Sequence, residues 1–348
     1  MITILAEDGI TVGSSMYFVA TDMPVLYKID CRTKEIVCAG IMYNESISLK
    51  QASRKIVKWG EELVIVPYNA SHIYFYNTIT GEMSAIDYPG WDEYNYMYIE
   101  AFAYDDKVIM IGAFAKNIIE LNMLTKEIVI RNNYFEIINN PEDLFCRSGY
   151  VVHNNYLFIG LAVSNSVLKI NLKTWEDSVL EIGDGDNRFS GIAYDGNNFW
   201  LTARRGKKVI KWAGNSEYEV INLPFDVSEE KCNFGGVYYY DNRIWIHGFE
   251  GGYSAIIDPK SELFIDYNER RYRFFRNVDN ECIIRQDWDG VVYLCTNNNE
   301  MRYDFEISKE MLMKIKMMFD KKSIFGKNNI ANENDIFGID EFVEMISK

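Results

Sequence analysis

The sequence predicts an all-β fold, a seven-bladed β-propeller of four-stranded blades with a C-terminal α-helical extension. Three observations predict it. A phrase of apolar run, tight polar turn and second apolar-aromatic run occurs seven times, as in GIAYDGNNFWLTA (191–203). The copies recur at steps of 42 to 48 residues. Each is followed by further short apolar runs bounded by turn residues. A unit of this kind cannot bury its apolar faces alone, so neighbouring copies must stack. A period near 46 residues with four short strands is that of a propeller blade rather than a helical solenoid.

The seven copies are ITVGSSMYFVA (10–20), IVKWGEELVIVP (56–67), AFAYDDKVIMIG (101–112), YVVHNNYLFIG (150–160), GIAYDGNNFWLTA, GVYYYDNRIWIH (236–247) and RQDWDGVVYLC (285–295). Asp105-Asp106, Asn154-Asn155, Asp195-Gly196, Asp241-Asn242 and Asp289-Gly290 are hairpin turns joining the first and second strand of a blade. HIYFYN (72–77), NIIELN (117–122), SVLKIN (166–171) and YSAIID (253–258) are third strands. They end in polar turns such as NTITGE (77–82) and NMLTKE (122–127), before an outer fourth strand. On this alignment the seventh copy supplies strands near 282–287, 291–295 and 300–307 and lacks a fourth. The β-branched run at 2–5 is therefore expected to complete blade seven and remove an open sheet edge. The propeller would span 1–307.

From residue 308 the pattern turns helical. Met311, Leu312, Ile315, Met318 and Phe319 share one face, with Ser308 as cap. A polar spacer (321–334) leads to a second stripe of Ile336, Ile339, Phe342, Val343 and Ile346. The extension, 308–348, either packs on the propeller's rim or serves docking or oligomerisation.

The phrase GIAYDGNNFWLTA, with its small-apolar start, Asp-Gly turn, aromatic and Thr, resembles the repeat of NHL, virginiamycin-B-lyase-like and Kelch-like propellers. The resemblance covers residues from about 10 to 307 and implies the fold. It transfers no catalytic residue, because such propellers include lyases, hydrolases, receptors and scaffolds. Copies two and three depart from the pattern with WGEE and YDDK turns.

Composition narrows the partners. With 36 Lys+Arg against 51 Asp+Glu, the formal charge is −15. A cation-steered nucleic-acid or anionic-membrane surface is disfavoured. No apolar stretch approaches the ~20 residues of a membrane span. The start, MITILAEDGITV, lacks the basic n-region of a secretory signal. Six cysteines without a C-x-x-C pair are expected to be reduced and structural, in a cytoplasmic protein.

In a propeller, the loops between second and third strands and the blade-to-blade connections emerge on one face, where ligand sites collect. The alignment brings Arg54, Arg147, Arg188, Arg204 and Arg205 towards that face, alongside Glu100, His72, His247 and Glu250. Guanidinium forks bind carboxylate or phosphate bidentately. Trp91 and Tyr94, in the aromatic connection YPGWDEYNYMYIE (88–100), suit peptide, sugar or protein recognition. ERRYRFFR (269–276) interleaves arginines with aromatics, either to hold single-stranded nucleic acid or as an outer strand with arginines in solvent.

The sequence contains no H-E-x-x-H, no clustered metal spacing and no G-x-S-x-G. No metal ligand set is assigned, and no cofactor is indicated. The favoured expectation is a non-catalytic binding or scaffold propeller that recognises a protein, peptide or polar small ligand over the face bearing Trp91, Tyr94, Arg188, Arg204 and Phe249. The alternative is a lyase or hydrolase acting on an anionic or polar small molecule. His247 would be its base and Glu250 that base's partner, with arginines stabilising charge.

Overall fold

In a computed structural model, the described residues are 1–88, 98–112, 117–131, 145–183, 188–204, 206–224, 226, 232–249, 253–268, 272–278, 282–296 and 299–325. The fold is all-β: seven four-stranded antiparallel propeller blades and a C-terminal helix. Strand β1 (Ile2–Thr3) precedes them. Blade one is β2–β5 (Ala6–Val12, Ser15–Ala20, Val25–Asp30, Ile36–Ile41) and blade two is β6–β9 (Ser53–Trp59, Glu62–Pro67, His72–Asn77, Met83–Asp87). Blade three is β10–β13 (Tyr98–Tyr104, Lys107–Gly112, Ile118–Asn122, Ile128–Arg131). Blade four is β14–β17 (Phe145–His153, Tyr156–Leu161, Ser166–Asn171, Asp177–Glu181). Blade five is β18–β21 (Phe189–Tyr194, Phe199–Ala203, Lys208–Trp212, Tyr218–Asn222) and blade six is β22–β25 (Phe234–Tyr240, Arg243–Gly248, Ser254–Ile257, Phe264–Asn268). Blade seven is β26–β29 (Tyr272–Val278, Cys282–Asp287, Val291–Thr296, Asn299–Asp304). Strand β30 (Glu306–Ile307) and helix α1 (Lys309–Phe325) follow.

The hairpin chemistry read from the sequence is realised. Asp105, Asn154, Asn155, Asp241 and Asn242 all hold φ between 51° and 64°, the left-handed region a tight primed turn needs. A second device recurs between third and fourth strands. Asn77 Oδ1 accepts from the backbone N–H groups of Ile79 and Thr80, both at 2.9 Å. Asn122 and Asn171 do the same, and Asp30 and Asp258 supply the equivalent carboxylate. These backbone donors hold the half-buried Asp30 and Asp258 below the usual carboxylate range.

Two compact units result, one from the described residues of 1–95, 289–292 and 302–348, the other from those of 96–288 and 293–301. In the first, Ile2 and Thr3 pair with Ile307 and Glu306 as a separate two-stranded sheet. Phe305, fully buried, packs its ring 5.2 Å from Phe18 and edge-on to Tyr27 at 5.5 Å. Ser308 caps α1, its Oγ accepting from Met311 N–H at 3.1 Å. The helix lies against β5 and buries Leu312, Ile315 and Phe319. The second apolar stripe of the tail lies outside the described residues.

In the second unit, apolar clusters fill the space between successive blades, aromatic ones included: Phe158, Phe199 and Trp212 pack together between blades four and five. Ile109, Ile111, Leu157 and Leu168 join blades three and four. Val237, Ile246 and Val209 join blades five and six. Burial of this kind, at roughly 25 cal/mol per Å², is the main stabilising term. Fully buried indoles keep their polar atoms satisfied: Trp200 Nε1 donates to Asp195 at 2.7 Å and Trp212 Nε1 to the Asn215 carbonyl at 2.6 Å.

Blade seven corrects the sequence reading. It has four strands of its own, and its first hairpin is Tyr272–Val278 with Cys282–Asp287. The Asp289-Gly290 turn joins its second and third strands, one step later than expected. Ile2–Thr3 therefore completes no blade. The aromatic-basic stretch is not an outer strand, since Tyr272, Phe274 and Phe275 are buried in β26.

Phe305→Ala is expected to cost about 3–5 kcal/mol, read as a lowered urea midpoint. Gly290→Ala should also destabilise, because Gly290 sits at φ 88° and a Cβ there would run into the Thr3 methyl. Unchanged midpoints for both would refute this packing of the chain's two ends.

Candidate functional site

A β-bulge recurs near the start of the first strand in every blade. In blade one Ala6 faces Ala20 and Asp8 faces Val19, leaving Glu7 as the extra residue. The same step leaves Arg54 extra in blade two, Ile99 in blade three, Ser190 in blade five, Gly235 in blade six and Arg273 in blade seven. In blade four the shift spans Phe145 to Tyr150. A bulge re-aims the extra side chain out of the alternating ladder, which suits it to line a site.

In the first unit this places Glu7 and Arg54 together. Arg54 Nε lies 3.4 Å from Glu7 Oε2, an ion pair without hydrogen-bond alignment. The other Glu7 oxygen accepts from Thr21 Oγ1 at 3.0 Å and Gln51 Nε2 at 3.3 Å. Arg54's guanidinium stacks on Tyr68, 4.1 Å from the ring centre, and its side chain stays 25 % exposed. Stacking and pairing fix the fork before any ligand arrives.

A second cluster lies in the same unit. Glu45, in the connection from blade one to blade two, offers Oε1 to Ser71 N–H at 3.0 Å, Ser71 Oγ at 3.0 Å and Tyr74 O–H at 3.2 Å. His72 Nδ1 stands 3.2 Å from the same oxygen and 2.7 Å from Ser71 Oγ. Its Nε2 meets Asp87 Oδ1 at 3.0 Å. Both ring nitrogens thus face carboxylates, and Ser71 has a carboxylate acceptor for its proton. The cluster ties the connection to blade two and leaves Asp87 almost fully exposed. Burial, aided by the Glu45 charge, pushes the Tyr74 phenol far above its ordinary range.

In the second unit the sequence candidates take varied positions. Glu100 is buried and accepts the Gly149 N–H at 3.4 Å, linking the first strands of blades three and four. Asp8, its counterpart in blade one, accepts Ile56 N–H at 2.9 Å. Arg188 is exposed, Arg204 is half-buried, and their backbones are joined by the Arg204 N–H and the Arg188 carbonyl. Arg147 lies in β14 with its side chain outside the described residues. Trp91, Tyr94, Arg205 and Glu250 also lie outside them.

His247 is built in as a strut. It is 3 % exposed, its Nε2 donates to the Tyr272 carbonyl at 2.7 Å, and its ring stacks on Phe275 with centroids 5.7 Å apart. Nδ1 has no hydrogen-bond partner among the described residues. It faces Gly235, where a Cβ would come within 2.8 Å. The bulge glycine makes room for the ring. Burial lowers its pKa to about 4, so the imidazole is neutral and a feeble base. The thiols of Cys38 and Cys295 are pushed up to about 12, chiefly by burial, which leaves both poor nucleophiles at neutral pH. Among the described residues, no group of three or more His, Cys, Asp or Glu is placed to hold a metal ion. No described helix is long and apolar enough to cross a membrane.

The blade geometry has solved counterparts. Virginiamycin B lyase from Staphylococcus aureus matches with a TM-score of 0.54 and 14 % identity, over 73 % of this chain and 84 % of that one. BamB from Moraxella catarrhalis matches at 0.55 and 12 %, over 87 % and 89 %. YCF48 bound to D1 peptide matches at 0.52 and 10 %, over 73 % and 82 %. No protein-family model and no curated protein matches the chain. At these identities the likeness establishes the propeller fold alone, and the expected resemblance holds at that level.

The strut has a pH signature. Its folded value of about 4 lies below the ordinary 6.5, so the unfolded chain takes up the proton first. Stability is full above the ordinary value and falls as pH drops towards 4, by up to about 3 kcal/mol. Urea midpoints between pH about 7 and about 4.5 should fall more steeply for the native protein than for His247→Gln. Equal slopes would refute the neutral, buried assignment.

Proposed function

We propose that the protein is a non-catalytic binding propeller that recognises a peptide or protein segment at the bulge end of blades one and two. The observation carrying this reading is the preset Arg54 fork, stacked on Tyr68 and braced by Glu7 while still a quarter exposed. Recognition sites favour arginine and tyrosine, and groups already held in place lose less entropy on binding. Asp87 adds an exposed carboxylate on the same blade. The segment that fits carries a carboxylate for Arg54 and a basic side chain for Asp87. The fold likeness to YCF48, described as bound to a peptide, supports this class of partner. The lyase or hydrolase alternative at His247 and Glu250 has less support, because the one described member of that pair is walled in and neutral.

The test is peptide display on the immobilised full chain, followed by fluorescence polarisation of enriched peptides. Arg54→Ala is expected to weaken binding about 10-fold or more, and Asp87→Lys to weaken peptides with a basic residue. Asp87→Lys lies at an almost fully exposed side chain and should leave the urea midpoint nearly unchanged. Failure to enrich any peptide, or equal binding by both variants, would overturn the reading.

A further inference from the structure

Register places three side chains at equivalent positions in blades five, six and seven. Phe189 faces Ala203, Phe234 faces Gly248 and Tyr272 faces Asp287 across the first hairpins of these blades. The residues that follow the second strands are therefore Arg204, Phe249 and Trp288, one per blade and all at the bulge end of the second unit. Asn233 N–H donates to the Arg204 carbonyl at 3.2 Å, and Phe249 N–H donates to the Asn233 carbonyl at 2.8 Å. The Phe249 and Trp288 rings stand 6.3 Å apart, tilted by 48°, and Trp288 is 47 % exposed.

The blade-five end carries the charge. Arg204 N–H donates to the Arg188 carbonyl, which extends the hairpin ladder by one pair. Residues paired in this way project from the same face, with Cβ atoms about 5 Å apart. Arg188 is exposed and Arg204 half-buried, and neither guanidinium has a hydrogen-bond or carboxylate partner among the described residues. Asp226, beyond the fourth strand, pairs with Lys207 at 3.6 Å. Like charges held directly opposite are unfavourable. An anion that bridges the two arginines removes that cost and uses donors already open to solvent.

We propose that this arc binds a phosphorylated peptide segment. Arg188 and Arg204 bridge a phosphate monoester, and Phe249 and Trp288 seat an apolar or aromatic side chain. Charge selects phosphate over carboxylate, since two guanidiniums match a group of charge near −2. Asp287, beside Trp288, makes the aromatic end acidic and so directs the phosphate to the arginine end. Spacing sets the peptide register. Arg204 and Phe249 are two interstrand steps apart, on the order of 10 Å, or about three residues of extended chain. The chain's net charge of −15 is screened by salt beyond about 8 Å, so the local pair governs docking. The surface belongs to the second unit and does not depend on the Arg54 reading.

The probe is a fluorescein-labelled peptide with one phosphoserine and a tryptophan about three residues further on, titrated with the full chain and read by fluorescence polarisation. A Kd of about 1–50 μM is expected, with the unphosphorylated peptide weaker by about 10-fold or more. Arg188→Gln combined with Arg204→Gln should bring the phosphopeptide level with the unphosphorylated one. Trp288→Ala should weaken both peptides about 3-fold or more, and Arg54→Ala should change neither. If the double variant does not fold, Arg188→Glu, at an exposed side chain, is expected to weaken the phosphopeptide about 10-fold and decides the matter. No phosphopeptide binding up to about 1 mM would overturn the proposal. So would equal affinity for the two peptides, binding unchanged in the arginine variants, or loss confined to Arg54→Ala. Tighter binding of a 5′-phosphorylated oligothymidine would also overturn it and assign the face to single-stranded nucleic acid.

Discussion

The recurring bulge at the start of each first strand is the constraint on which the rest of the chemistry depends. One extra residue per blade breaks the strict in-and-out alternation and twists the strand locally. The extra side chain leaves the ladder's alternation, and its surroundings differ from blade to blade: Arg54 stays a quarter exposed, whereas Ile99 and Ser190 are buried. In blades one and two it is Glu7 and Arg54, which meet as an ion pair. In blade six it is Gly235, which gives His247 space to reach the Tyr272 carbonyl. The residue following the bulge is turned towards the next blade, where Asp8 and Glu100 each accept a backbone N–H. One backbone irregularity therefore supplies both interblade tethers and a row of variable side chains.

Between blades the same fold uses two kinds of contact. Aliphatic clusters such as those of Leu157 and Ile246 gain stability with buried area and tolerate little change of volume. Blades four and five add rings to such filling, and blades six and seven add a guanidinium and a neutral imidazole to theirs. Polar groups are buried there with fixed partners: Arg285 pairs with Glu300 and His247 bonds to the Tyr272 carbonyl.

The fold was largely legible because its signals are local. Asp105, Asn154 and Asp241 are turn residues whose backbone preference survives any tertiary context, and their positive φ values follow. Ser308 likewise announced the helix it caps. Register in blade seven was not legible. Asp289-Gly290 is good turn chemistry whichever pair of strands it joins, and the arginines of 269–276 suggested solvent exposure for a strand whose aromatics are buried. The site was legible only in part. Arg54 was found by its place near a first strand's start. Its partner Glu7 was missed because a bulge leaves no compositional mark, although aligning the seven strand starts puts the two at equivalent positions. His247 drew attention as one of three histidines, whereas its role follows from the glycine beside it.

A crystal structure of the protein with a bound, display-selected peptide measures the central claim directly. The account predicts a peptide oxygen within about 3 Å of the Arg54 guanidinium, with Tyr68 still stacked beneath it and Asp87 facing a basic side chain. A peptide seated elsewhere on the chain, with the Arg54–Glu7 pair untouched, would contradict it.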